Sequence, residues 1–272
     1  MLRVLTARPV PALRPFIHLF VQRDGELGSG ELIEPVVARL GAKLEFKFAD
    51  PYQIHSYSNN ATLSALPFAL LGPQTFRRVW LTLTGRVDSV AVTFQPCGFH
   101  LIFGVPMHYV VDIAREGHAL LGKDGSRLYE QLGNLTTFAE RTERLNAYFL
   151  RRLGSVRTDL SVPNALQSLV SHRDFTIADA VRQTGLSRRQ FERKSVAYAG
   201  MPPRDLSRIG RFSAALQLSR AHSLNWTEIA HASGYYDHMH MVRDFHSFAG
   251  QAPSLTQREI APVHYVNFSV AG

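Results

Sequence analysis

The chain has 272 residues, with 30 Lys and Arg against 22 Asp and Glu, 12 His and a single Cys. That length suits two domains of ordinary size without staples, and 45% hydrophobic with 19% charged residues is a globular composition. One cysteine excludes a disulfide framework and a Cys-rich structural zinc site, and no window reaches about 18 apolar residues, so a cytoplasmic chain with no membrane span is expected.

The net charge of +8 permits a nucleic-acid partner without requiring one. Residues 160–260 hold 12 basic and 8 acidic side chains, and the remainder 18 and 14, so the positive charge is only modestly denser toward the C-terminus. The start, MLRVLTARPVPALRPF, is broken by Arg8, Arg14 and three prolines and forms no signal-peptide core.

The first 113 residues read as short strands between turn signals. Lys43–Phe48 alternates Leu44, Phe46 and Phe48 against Lys43, Glu45 and Lys47, as a half-buried strand does. Arg78–Thr84 and Val87–Phe94 read as two further strands, with Gly85 between them as punctuation. A small barrel or folded sheet is expected. Gly117-His-Ala-Leu-Leu-Gly122-Lys123 has the outline of a phosphate-binding loop. Asp124, however, stands where a hydroxyl would hold Mg²⁺, so a polar loop before the helical segment is the expectation. From Ser126 the period becomes helical through Leu128, Leu132, Leu135 and Phe138, then Leu145, Phe149 and Leu153. These apolar positions suffice for a dimer face or for packing on the sheet.

After a stop at Leu153-Gly154-Ser155 and a short linker, 156–160, the chain is helical in pattern to about Ile260. Ser161 is expected to cap the first helix, Thr176 the second and Ser187 a third over Arg188–Ala199. Pro203 opens a long helix to about Ala221, Trp226–Ala232 is short, and Asp237 caps His238–Phe248. The tail 263–272 alternates like a strand. Two units stand about 50 residues apart: Thr176-Ile-Ala-Asp-Ala through Gly185-Leu-Ser to Gly200, and Thr227-Glu-Ile-Ala-His through Gly234-Tyr-Tyr-Asp to Gly250. Each is a helix, a tight turn and a second helix, at about 176–199 and 226–249, an arrangement able to place one helix in a major groove.

These residues carry a resemblance. IAHASGYYDHMHMVRDFHSFAGQAPS resembles the second helix-turn-helix of AraC/XylS-type transcription regulators, and GLSRRQFERKSVAYAGMPPRDL resembles the first. Ile229-Ala230, Gly234-Tyr235, Asp237, Arg243, Phe245, Phe248, Gly250 and Pro253 fall in register with the family pattern. The resemblance implies an α+β protein: a mostly-β, barrel-like sensor or dimerisation domain over 1–155, then an all-α DNA-binding domain over 161–262. LLGPQTFRRVWLTLTGRVDSVAVTFQPCGFHLIFGVP is the most telling stretch of the first part. Two positions depart from the pattern. Ser195 replaces a buried Phe, which predicts looser packing, and Thr256 replaces an aromatic whose contact Leu255 is expected to supply.

Four cations on one helix, Arg188, Arg189, Arg193 and Lys194, most often make a solvated face. Here the run follows a Gly turn and a Ser cap and has a partner repeat. The resemblance assigns base edges to Arg189, Glu192 and Arg193, and to His238, Met239, His240 and Arg243, leaving Ser187, Arg188, Lys194 and Asp237 to the phosphates. The chemistry agrees: Arg forks onto guanine, Glu accepts from cytosine and His donates. His238, His240 and His246 do not converge as an i,i+4 pair, so no metal and no cofactor is expected. His100 and His108 read as structural, and Cys97 as a small buried residue with redox sensing as its alternative. The expected partners are double-stranded DNA, a small-molecule effector or a second copy at the N-terminal domain, and RNA polymerase if the bound protein activates. A chain of this kind associates with the nucleoid. The competing expectation, an N-terminal enzyme tethered by the helical half, lacks a paired catalytic constellation in the sequence.

Overall fold

The computed structural model describes residues 2–77, 79–154, 159–220 and 224–260. The tail 263–272, expected as a strand, and most of the linker lie outside them. Eight strands build the first half: β1 (Arg3–Ala7), β2 (Ile17–Val36), β3 (Lys43–Lys47), β4 (Gln53–Ser56), β5 (Thr62–Ser64), β6 (Phe68–Leu71), β7 (Val79–Phe94) and β8 (Ala114–Glu116). They form one antiparallel sheet in the order β1-β2-β7-β3-β6-β8, with β4 and β5 branching from β7. Among the described residues β1 and β8 do not pair, so the sheet is folded and barrel-like but not closed.

The two strands expected on either side of Gly85 are one. β7 runs against β2 from Val36↔Val79 to Ile17↔Phe94, with register shifts between Ile17 and Leu19 and between Glu26 and Glu31. Gly85 sits inside it at φ +63, and Asp50 occupies the space a side chain would need while its carboxylate takes the Arg86 N–H at 2.8 Å. A glycine within a strand here bends the sheet.

The alternation on β3 is real, but both its faces are buried. Leu44 and Phe46 enter the main core, while Glu45 and Lys47, expected outward, face a cavity on the other side of the sheet. Three cations serve these carboxylates: Lys43 Nζ and Lys47 Nζ bind Glu45 at 2.8 and 3.1 Å, and Arg23 binds Glu34 at 2.8 Å.

The segment from Gly117 to Asp124, expected as a polar loop, is helical. α1 (Gly98–Phe103) follows the sheet, and α2 (Gly117–Asn134) begins nine residues before the expected start, capped by the Glu116 carboxylate and kinked at Gly122. α3 (Phe138–Leu153) opens on a Thr137–Glu140 capping box. Leu128, Leu132, Leu145 and Phe149 are spent on the core beneath the sheet, which settles the packing of these helices. Arg141 fastens them: its guanidinium is bidentate to Asp88 on β7 at 2.6 and 3.1 Å, donates to Gln22 on β2, and takes the last carbonyls of α2.

The second half is all-α: α4 (Ser161–Ser171), α5 (Ile177–Thr184), α6 (Arg188–Ala199), α7 (Pro203–Leu218), α8 (Trp226–Ala232), α9 (His238–Ala249) and α10 (Pro253–Glu259). Thr176, Ser187 and Asn225 form capping boxes, and Asp237 caps α9 through the His240 N–H at 2.6 Å. Ser161 does not cap α4. It is the first helical residue, and Asp159 takes its N–H at 2.9 Å. α7 stops at Leu218; Ala221, its expected end, lies outside the described residues. The core cluster is continuous across both halves, from Phe94, Phe99 and Phe149 to Phe191, Phe212 and Phe245.

Both departures from the family pattern are filled differently from expectation. Ser195 is fully buried, and its hydroxyl donates to the Met201 carbonyl at 2.7 Å, so the site has closed around a polar anchor. Thr256 is itself buried, bonding the Ala252 carbonyl, while Leu255 is half exposed and supplies nothing.

Candidate nucleic-acid interface

Each helix-turn-helix unit presents its second helix with a polar N-terminal half and a buried C-terminal end. On α6, Phe191, Ser195 and Ala199 face inward, which at i, i+4, i+8 leaves Arg188, Arg189 and Arg193 exposed, with Glu192 and Lys194 partly so. Arg188 Nε meets Glu192 Oε1 at 3.0 Å. Such an exposed i,i+4 pair contributes little and opens readily when a stronger partner arrives. The Ser187 hydroxyl is engaged by the Gln190 N–H, so its first duty is to the helix itself.

On α9, Met241, Asp244, Phe245 and Phe248 are buried and Met239 and Arg243 project one turn apart, Met239 being 61% exposed. His238 is half-buried. His240 is also half-buried, with its ring edge-on to Tyr235 at 5.3 Å, and it shares a groove at the start of α9 with Arg204, Arg208 and Arg243. Arg204 and Arg208 come from α7 and were not picked out from the sequence. Nor was Tyr236, which is 87% exposed in the turn. The signal for Tyr236 was its place between Gly234 and the capping Asp237. Arg204 and Arg208 carry none, because only the crossing of α7 and α9 brings them there. Arg208 is held by the buried Asp244 carboxylate at 2.6 Å.

The C-terminal ends of both second helices rest on the N-terminal half. Gly200 ends α6 at φ +85 with its α-carbon against Val111 and Met107, and the Tyr198 ring lies tilted against His100 at 4.3 Å. At the end of α9 the Phe248 carbonyl accepts from the Ala38 N–H at 3.1 Å and the Ala249 carbonyl from Arg77 at 3.2 Å; Arg77 also pairs with Glu259 at 3.0 Å. Cations at helix C-termini answer the exposed carbonyls there.

The same segments wall the cavity on the far face of β3, about 600 Å³ in volume, whose lining includes Arg39, Glu45, Gln74 and Asp112 among apolar residues such as Ile54 and Leu81. Arg39 and Gln74 exchange both backbone bonds at 2.9 Å, Arg39 holds the Gly72 carbonyl, and the Asp112 carboxylate clamps Thr75. Segments 36–39, 72–77 and 110–113 are thus stitched together, with the cavity on one side and the recognition helices on the other. Cys97 is buried, and burial pushes its thiol up to about 12, which suits a packing residue. Among the described residues no three His, Cys, Asp or Glu side chains converge, and no helix is long and apolar enough to cross a membrane.

Two helix-turn-helix units joined by one long helix, with a cationic second helix in the first unit and Met239 and Arg243 projecting from the second helix of the other, have the architecture of a DNA-binding protein. Residues 180–259 match a family model described as a helix-turn-helix domain, and this C-terminal domain is of the AraC type; the chain is a DNA-binding transcription regulator. Residues 5–114 match a family model described as a domain of unknown function, DUF6597. No curated protein matches the chain. Among solved structures it is similar to ToxT from Vibrio cholerae at 15% identity, covering 89% of this chain and 99% of that one with a TM-score of 0.49. A structure of wild-type ToxT with an unsaturated fatty acid bound matches at 14%, covering 89% and 96%, also with a TM-score of 0.49. The AraC-like transcriptional activator CuxR matches at 12%, covering 81% and 87%, with a TM-score of 0.30.

Proposed function

We propose that α6 and α9 of one chain read two neighbouring major-groove segments on one face of the duplex, about one helical turn or 10 bp apart. Arg189, Arg193 and Arg243 are the guanine readers, with Glu192, His238, Met239 and His240 completing the base contacts. Ser187, Arg188 and Asp237 lie at the helix starts and Lys194 midway along α6, and these four contact the phosphates. Tyr236 and Arg204 join that second group. The single observation carrying the regulatory part is the shared wall: the segments lining the N-terminal cavity also hold the C-terminal ends of both recognition helices. A small-molecule effector in that cavity changes how firmly those ends are held, and with them the spacing the two helices offer to DNA. Where the bound protein activates, RNA polymerase is its partner; a second copy of the chain on a repeated site is the natural arrangement for a palindromic operator, and nucleoid association follows from DNA binding.

A selection of bound duplexes on wild type, Arg193→Ala and Arg243→Ala tests the reading. Each variant is expected to relax preference at a different set of bases, at about 1–3 kcal/mol per lost bidentate contact. Loss at the same bases in both variants refutes two separate readers. Saturable turnover of a metabolite by the full chain, abolished by substitutions in the N-terminal cavity, would favour the enzyme reading instead.

A further inference from the structure

A second concave site lies away from both the recognition helices and the effector cavity, between α2 and α3. It is a groove of about 380 Å³ in which Arg127, Arg144, Arg151 and Arg152 surround one carboxylate, Asp124. On α3 the positions 144, 148, 151 and 152 share one face, so three guanidinium groups line about two turns of helix, an arrangement that costs stability in the absence of a counter-charge. Asp124 answers only in part: it stands 3.8 Å from Arg152, whose guanidinium is also spread over the Phe103 ring. Arg144 donates to the neutral Gln131 amide oxygen at 2.7 Å, and no carboxylate among the described residues pairs with Arg127, Arg144 or Arg151.

The independent observation is Tyr148 at the floor of the groove. The residue is 5% exposed, and its hydroxyl is buried without a hydrogen-bond partner. A buried, unsatisfied hydroxyl lowers stability, a cost that is relieved where a water or ligand can meet it. The phenol is held neutral by burial, so it can donate.

We propose that this groove binds a small molecule through a terminal phosphate group. Guanidinium forks match tetrahedral oxyanions in geometry and charge, and a terminal phosphate brings nearly two negative charges and three acceptor oxygens, enough for Tyr148 and two arginines together. An internal phosphodiester of duplex DNA has one charge and two free oxygens, and cannot serve the buried hydroxyl and the rim arginines at once. The site is independent of the effector cavity and of how the recognition helices read DNA.

Isothermal titration of the full chain with inorganic pyrophosphate, in 0.15 M KCl, tests it. One molecule is expected to bind per chain. Arg151→Gln should weaken binding at least tenfold and Tyr148→Phe about fivefold, the latter with a melting temperature of the unliganded chain no lower than that of wild type, because only an unsatisfied hydroxyl is removed. No binding at millimolar pyrophosphate, or equal affinity in wild type and both variants, overturns the proposal. Displacement of bound pyrophosphate by a duplex of arbitrary sequence assigns the groove to the DNA backbone and overturns it too.

Discussion

Gly200→Ala separates two costs that the structure keeps distinct. Gly185 and Gly200 each end the helix before them in the left-handed conformation, at φ +65 and φ +85. A β-carbon at Gly185 meets nothing within 4 Å, whereas one at Gly200 lands 2.6 Å from Val111 Cγ2 and 3.4 Å from Met107, both in the N-terminal half. Gly185→Ala therefore costs only the backbone strain, about 1–2 kcal/mol. Gly200→Ala adds overpacking of about 1–3 kcal/mol, since Val111 must retreat or the two halves must part. Val111→Ala in the Gly200→Ala background should recover the second part, appearing as a coupling of about 1–3 kcal/mol in a double-mutant cycle. Urea unfolding followed by circular dichroism gives all four stabilities. Equal losses for Gly185→Ala and Gly200→Ala, with no coupling to Val111, would refute the docking of α6 on the N-terminal half.

Ser195→Phe, which would restore the family's usual residue, should lower stability by about 1–3 kcal/mol, because the site is closed and its hydroxyl is bonded; a rise in melting temperature would show an empty space there. Arg141→Ala should cost about 3–5 kcal/mol by leaving Asp88 and the α2 carbonyls unanswered, measured by the same urea titration. Burial holds the Lys43 ammonium down to about 8, so the folded chain releases that proton before the unfolded chain does. Stability from this group therefore rises between about pH 8 and pH 10, and Lys43→Met should flatten that rise in a pH series of melting temperatures.

Much of the C-terminal half was legible because its signals are local. Caps at Thr176, Ser187 and Asp237, turn glycines at 185 and 250 and an apolar residue every third or fourth position each act within one or two turns of chain. A serine near a helix start satisfies the pattern whether or not it caps; Ser161 is instead the first helical residue, and Asp159 accepts its N–H. The sheet was harder. Gly85 reads as a turn anywhere except inside a strand that pairs with β2 along its whole length, and that pairing is set by residues more than 40 positions away. Glu45 and Lys47 looked solvent-facing because alternation reports two faces and not what covers them. At the DNA surface, residues within α6 and α9 could be read from the sequence, while Arg204 and Arg208 reach the same surface only through the crossing of α7.

The continuous core has a consequence for how the chain can be cut. Phe99 and Met107 on one side and Ala199 and Met201 on the other belong to a single buried cluster, so the linker at 156–160 divides the sequence but not the interior. A fragment beginning at Ser161 would carry its helix-turn-helix units intact and yet bare an apolar scar where α6 leaves its seat. Such a scar invites self-association. The N-terminal half is in this respect a built-in chaperone for the recognition helices, sheltering surface that the DNA-binding half cannot bury by itself.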